Sequence, residues 1–438
     1  MTSPKIKNPP TLFLDKLKFL GPGFILSASI VGSGELIATT VLGAKGGFTT
    51  FWVIIVSCLV KVAIQLEFGK NAIISGKPLM VSFSNLKGPK NWAVWTTFFL
   101  TLFKIIQLGG MIGGAAIALS MLFPEFSAFL LSFILGAITS LLIYKNYYKV
   151  VERTSMFLVV SFTIFTIASV IAVNFSPFGF SISDIFSGLT FELPSELIFV
   201  AIGAFGITGV ASDEIIAYTY WCQEKGYAKF TGKNDGSPEW RNRANGWIKI
   251  MYLDAIVAMI IYTIVTAAFY LLGASILYGR EAIPNGNELI ATLANIYTKT
   301  MGEEVSIAYT IGAFFVLFSS VFATLAYWTR LLPDIFGQMG WINYSDRKTR
   351  GKWVAILAWS LPILWSLAFA FVKLPTLMVI FGGVVGSVLL LLVVYAGIHF
   401  RLKNAKLNLA SGILSKVMFW LSVLSIGLVS IYGIVKLF

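Results

Sequence analysis

Apolar runs about twenty residues long recur along this chain, separated by short basic loops, and that repetition leaves few folds open. A run of this length, wound as a helix, matches the ~30 Å hydrocarbon core of a bilayer. Only 12% of the 438 residues are charged, whereas a soluble domain carries about 25%. The chain therefore reads as an all-α membrane protein with spans near 20–40, 50–70, 92–122, 126–144, 154–174, 197–221, 247–274, 305–330, 352–372, 374–400 and 413–437. These spans use nearly the whole length, so one integral membrane domain, 1–438, is expected. No hydrophilic stretch is long enough for a separate catalytic or nucleic-acid-binding domain.

The net charge of +13 has a topological origin. With the N-terminus inside, 26 of the 33 Lys and Arg fall in cytoplasmic segments, and only Lys45, Arg280, Lys299, Lys373 and Lys436 fall outside. The positive-inside rule then predicts a cytoplasmic N-terminus and an extracellular C-terminus, with the cell membrane as the expected location. Loop charge accounts for the basic balance, so no nucleic-acid partner is needed. Residues 1–19 lack an apolar run with a small-residue cleavage site, so no signal peptide is expected there. The two cysteines, Cys58 and Cys222, have no CxxC partner and suggest neither a disulfide framework nor a thiolate metal site. One histidine, His399, cannot build a catalytic triad or an HExxH zinc site, and no Walker A sequence occurs. An enzyme and an ATP-driven pump are therefore not expected, and no cofactor is implied.

Comparing the first and sixth spans exposes an internal repeat. Residues 31–40 align without gaps on residues 210–219, and six of ten positions match: Val31/Val210, Ser33/Ser212, Glu35/Glu214, Ile37/Ile216, Ala38/Ala217 and Thr40/Thr219. The matches open two expected five-span halves, 20–174 and 197–400, with 413–437 as an extra peripheral helix. Five is odd, so the halves must be inverted relative to one another. Both segments are poor helices at mid-membrane. One carries Gly32, Ser33 and Gly34, the other Gly203, Gly206 and Gly209 before Ala211 and Ser212. Each helix-interior glycine costs about 1 kcal/mol relative to alanine. Breaks are therefore expected at Gly32, Gly34, Gly206 and Gly209. Discontinuous helices in matching positions of two halves mark the binding site of a secondary transporter, because the freed carbonyls can hold a cation. The glycines of span 3, Gly109, Gly110, Gly113 and Gly114, read instead as a packing face.

Charged side chains at membrane depth cost at least about 2.5 kcal/mol each, so each is a functional candidate. Glu35 and Glu214 follow the two breaks, where a half-helix N-terminus favours an ionised carboxylate. Asp213 adjoins Glu214 and ranks second, because the repeat pairs it with Gly34. Lys61 and Lys104 are the natural counter-charges, and Glu67 adds a possible fourth acid. Gln65 and Gln107 share faces with the lysines. Asp254, near the cytoplasmic end of span 7, is expected to face polar loops.

The stretch Gly21, Pro22, Gly23 and Phe24, the break at Gly32 to Glu35, then Gly47, Phe48 and Trp52, resemble the opening of the Nramp family of divalent-metal transporters. The resemblance continues through 114–119 and into span 6 with Gly203, Gly206 and Thr208. It implies a LeuT-type fold: two inverted five-helix repeats plus a peripheral helix, with metal held between unwound helices 1 and 6. The signature residues differ, however. The family's Asp-Pro-Gly-Asn is here Gly32, Ser33, Gly34 and Glu35; its Met-Pro-His aligns with Val210, Ala211 and Ser212; its helix 3 acid falls at Gly110 or Met111. Neither metal selectivity nor proton coupling follows from a resemblance with those gaps.

The expected function is a transporter, working as a monomer in the lipid bilayer, that moves a divalent cation by alternating access. Oxygen ligands without His, Cys or Met make a hard site, suited to Mg²⁺ or Mn²⁺. The expected metal ligands are Glu35, Glu214 and Asp213, supported by Ser33, Ser212, Thr208 and carbonyls near Val31 and Ile207. A lysine in the cavity would hold positive charge where another carrier holds a co-transported ion. The alternatives are transport of an organic solute such as an amine or amino acid, and a non-transporting sensor on the same scaffold.

Overall fold

The computed structural model describes the chain apart from residues 1–5, 33, 146, 280–302, 408, 410–411 and 438. Among the described residues every regular element is helical. In chain order these are α1 (Phe13–Leu17), α2 (Pro22–Ile30), a π-helical stretch (Gly34–Thr39) running into α3 (Thr40–Gly46), α4 (Phe51–Ser75), α5 (Leu79–Ser84), α6 (Trp92–Phe103), α7 (Ile105–Leu122), α8 (Ala128–Ile143) and α9 (Tyr148–Asn174). The second half continues with α10 (Ile182–Ser187), α11 (Ile198–Ile207), α12 (Ser212–Lys225), α13 (Tyr227–Thr231), α14 (Pro238–Leu277), α15 (Glu303–Gln338), α16 (Arg347–Val372), α17 (Pro375–Asn404) and α18 (Ile413–Leu437).

Nine helices among the described residues are long and apolar enough to cross a membrane, and a tenth crosses if α2 and the Gly34–Gly46 segment, bent by 43°, form one span. The remaining span of the sequence-based eleven, α8, has 16 residues, fewer than the ~20 of an untilted crossing. The expected outside positions Arg280 and Lys299 lie outside the described residues.

Local chemistry sets the helix ends. Pro22 opens α2, where its missing N–H is no loss. α4 stops at Gly76, a left-handed cap whose N–H returns to Ala72 O at 3.0 Å. Ser237 caps α14 by accepting the Trp240 N–H at 3.1 Å. Lys104 separates α6 from α7 within span 3. Gly109, Gly110 and Gly113 of α7 do pack closely, a methyl group at Gly113 falling 2.2 Å from the Phe369 ring, while one at Gly114 would make only ordinary contact.

Ser195–Lys225 is the most buried of these spans and Ile413–Tyr432 the least, so α11 and α12 sit centrally while α18 lies at the edge. α12 packs on α4, α2 and α17, and α14 packs on α3 and α4. Both interrupted helices thereby meet in the middle of the bundle.

Candidate functional site: two helix interruptions and their buried charges

The first interruption lies between Ile30 and Gly34. Val31 leaves the helix with ψ of 95°, and its N–H still returns to Ser27 O. The carbonyls released there are taken by α15: Ser319 Oγ donates to Val31 O and Ser320 Oγ to Ser29 O, each at 3.0 Å. Ser33 lies outside the described residues. Gly32 abuts Ser320 so closely that a methyl group there would fall 1.6 Å from Ser320 Oγ. The hydroxyl fills the room that a side chain at position 32 would need.

The second interruption spans 208–211. α11 ends at Ile207, Thr208 and Ala211 are extended, and α12 starts at Ser212. Gly209 has φ of +59°, and a side chain there would lie 2.8 Å from the Cys58 main chain, so both conformation and space call for glycine. Gly206 corrects the expected break. It lies inside α11, where a methyl group would meet Gly383 O at 2.1 Å, so its role is close packing against α17.

Glu35 is fully buried and joins the two interruptions. Its Oε2 accepts the Gly32 N–H and its Oε1 the Gly209 N–H, both at 3.3 Å, while Thr266 Oγ1 lies 3.5 Å from Oε1. Lys61, equally buried, reaches the end of α11 from α4. Its Nζ donates to the carbonyls of Phe205 and Thr208, both at 2.6 Å, and lies 4.8 Å from the Phe205 ring centre. Ser57, one turn earlier on the same face of α4, donates to the same carbonyls at 3.2 and 3.1 Å and accepts Thr208 Oγ1 at 2.8 Å. Carbonyls that a helix end leaves without intrahelical partners are thus satisfied by side chains.

Lys104, between α6 and α7, forms a buried ion pair with Asp213. Gly386 of α17 makes room for it, lying close to Lys104 Nζ and Ser212 Oγ. Glu214 Oε1 accepts the Ser29 hydroxyl at 3.0 Å. The charges of Glu35, Glu214, Lys61 and Lys104 act on one another across this space. Among the described residues, the buried oxygens without a hydrogen-bond partner include Glu214 Oε2, Asp213 Oδ1, Ser212 Oγ and Gln107 Oε1.

Further expectations need correction. Glu35, Asp213 and Glu214 do not converge as one three-carboxylate centre, and among the described residues no three His, Cys, Asp or Glu gather to hold a metal. The physical reason is prior engagement, by main-chain amides for Glu35 and by Lys104 for Asp213. Likewise, the Val31 carbonyl is occupied by Ser319, and the carbonyls beside Ile207 by Lys61 and Ser57. Glu67 leaves the cluster altogether, because Arg401 donates to its Oε1 at 2.6 Å. Finally, Asp254 is buried rather than facing loops, accepting the N–H of Gly21 at 2.8 Å, the N–H of Gly23 at 2.7 Å and Tyr218 OH at 2.9 Å. Sequence reasoning missed Ser29, Ser57, Thr266, Ser319 and Ser320. Paired hydroxyls inside an apolar span, as at 319–320, were the available signal.

An all-helical bundle in which two discontinuous helices meet at buried charges defines a membrane transporter of the secondary type. The chain belongs to the Nramp family, matching the natural resistance-associated macrophage protein-like model over residues 23–436. It is therefore a transporter and not an enzyme. An uncharacterized protein of Pasteurella multocida is 24% identical over 333 residues, which cover 72% of this chain and 70% of that protein. The divalent metal cation transporter MntH of Caldanaerobacter subterraneus subsp. tengcongensis is 25% identical over 295 residues, 64% of this chain and 65% of that one. Among solved structures, the manganese transporter of Eremococcus coleocola superposes with a TM-score of 0.72 at 14% identity, covering 99% of this chain and 89% of that chain. Mhp1, a nucleobase-cation-symport-1 family transporter, follows at 0.57 and 14%, covering 98% and 92%. The fold is thus of the LeuT type.

Proposed function

We propose that this protein carries a hard divalent cation, Mg²⁺ or Mn²⁺, across the membrane by alternating access. The observation that carries the reading is the set of unpartnered buried oxygens at consecutive positions, Glu214 Oε2, Asp213 Oδ1 and Ser212 Oγ, at the start of α12. An orphaned buried polar atom costs about 1–3 kcal/mol, and an arriving cation would relieve that cost at the oxygens it reaches. All are oxygens, and no His, Cys or Met stands among them, which suits a hard ion. Charge supports the same choice. With Glu67 paired to Arg401, the acids Glu35, Asp213 and Glu214 face Lys61 and Lys104, leaving one net negative charge. Family membership and the metal-transport names of MntH and the Eremococcus protein agree with this reading.

The proposed arrangement is a monomer in the cell membrane, N-terminus in and C-terminus out, built of inverted halves. Glu35 organises the interruptions, while Glu214 and Asp213 take the cargo. Transport follows the substrate gradient and membrane potential without proton coupling. The test is uptake of Mn²⁺ and Mg²⁺ into liposomes holding the full chain and a pH dye. Uptake with little acidification, abolished by Glu214→Gln, is expected. Uptake unchanged in that variant would sink the site, and transport of an amine or amino acid in place of both metals would replace the cargo.

A further inference from the structure

We propose that the Lys61 ammonium is a resident cation, built into the place at the C-terminal end of α11 where a free monovalent cation would otherwise bind. The position is a cation site by its chemistry. The last turn of a helix concentrates partial negative charge and orphan carbonyls, and half-helix C-terminal ends hold co-transported cations in broken-helix carriers. Around Lys61 Nζ stand the Phe205 and Thr208 carbonyls at 2.6 Å and the Phe205 ring face at 4.8 Å. The hydroxyls of Ser57 and Thr208 lie beside them. Two carbonyls and two hydroxyls are the donor set of a small alkali ion, and here an ammonium holds it.

Lys61 and Lys104 differ in this respect. Lys104 spends its charge on Asp213. Both hydrogen bonds of Lys61 go to main-chain carbonyls, and among the described residues none goes to a carboxylate. Its positive charge is therefore directed at the helix end. Tethered by the chain, it cannot leave with the cargo. A carrier built this way keeps a tethered cation at the α11 end and needs no second ion to complete the site.

This inference deepens the transport reading and rests on it for the role, while the site itself can be tested without transport. Lys61→Ala removes the ammonium from the Phe205 and Thr208 carbonyls and opens that place, beside the Ser57 and Thr208 hydroxyls, to a soluble cation. In detergent, the variant's melting temperature is expected to rise saturably with Na⁺ or ethylammonium and not with the bulky cation N-methyl-D-glucamine, while the wild type responds to none. In liposomes, Mn²⁺ uptake by Lys61→Ala in N-methyl-D-glucamine buffer is expected to fall about tenfold, from the loss of charge-assisted bonds to two buried carbonyls. Na⁺ or ethylammonium should restore it, and Lys61→Arg should keep uptake independent of both. Wild-type uptake that requires Na⁺ or K⁺ overturns the proposal, a result that needs no variant to fold. So does a folded Lys61→Ala protein that neither cation stabilises. Failure of the wild type to move any metal, with the melting response intact, would instead overturn the cargo.

Discussion

Glu35 and Gly209 are 174 positions apart, and the carboxylate of the first accepts the main-chain N–H of the second at 3.3 Å. The same carboxylate accepts the Gly32 N–H at 3.3 Å. One side chain thus ties the two helix interruptions together, and neither can change shape without the other feeling it. Glu35→Ala strands both amides, at about 1–3 kcal/mol for each buried group. A clear fall in melting temperature is expected, with a smaller fall for Glu35→Gln, whose amide oxygen can still accept. Both variants should lose metal uptake. Melting of Glu35→Ala at the wild-type temperature would refute the tie.

The Lys104–Asp213 pair invites a double-mutant cycle. Removing one partner leaves a buried charge uncompensated, which costs about 3–5 kcal/mol, whereas replacing both with apolar groups is often neutral. Lys104→Met and Asp213→Leu are each expected to destabilise strongly, and the double variant to recover most of the loss. Recovery of the fold without recovery of uptake would be the signature of Asp213 as a cargo ligand. Additive losses in the double variant would show that the pair is not the reason for either burial.

Position 32, where the resemblance places the family's aspartate, has no room for a side chain. Ser320 Oγ occupies the space a side chain would need, and it donates to Ser29 O at 3.0 Å. Gly32→Asp alone should therefore misfold or lose stability, and Gly32→Asp with Ser320→Ala should regain expression. Monodispersity on size exclusion reads the outcome. A well-behaved Gly32→Asp single variant would mean that Ser320 yields without cost.

The architecture was legible because bilayer thickness fixes helix length and unpaired backbone is not tolerated in lipid. Apolar runs and loop charge therefore map onto helices almost directly, and the doubled motif around Glu35 and Glu214 drew attention to the interruptions. Pairing inside the site was not legible. Nothing in the spacing of Lys61 says that it reaches the carbonyl of Phe205, or in Glu67 that it turns to Arg401, 334 positions away. Those choices depend on which helices become neighbours. Gly206 misled for a similar reason, since a glycine that breaks a helix and one that admits a neighbouring backbone look alike until the neighbour, Gly383, is known.

Orientation can be read by cysteine labelling in a background lacking Cys58 and Cys222. Cysteines replacing Lys233 and Lys348 should react only with reagent on the cytoplasmic side, and one replacing Lys373 only from outside. The opposite pattern would overturn the proposed orientation.

Asp254 supplies the last prediction, about how the face that carries the N-terminus opens. Its carboxylate holds the start of α2 through Gly21 and Gly23 and is itself held by Tyr218 of α12. Two residues on, Tyr220 donates to Asp334 of α15 at 2.7 Å, and Asp334 also accepts the Met80 N–H at 3.1 Å. Lys225 adds a bond to Leu20 O at 2.7 Å and a bridge to Glu152 of α9. α2 and α12, the half-helices leading to the two interruptions, are therefore clamped to α9, α14 and α15 at one end. Separating α2 from this clamp requires giving up the Asp254 bonds first. Asp254→Asn keeps the shape but turns one acceptor oxygen into a donor, which then faces an N–H or the Tyr218 hydroxyl. A cysteine replacing Ser27, buried on α2, should then be labelled several times faster from the N-terminal face than in the parent protein. Labelling from the opposite face should slow or stay the same. Equal rates from the N-terminal face, in a variant that melts like the parent, would show that Asp254 shapes the helix end without controlling its opening.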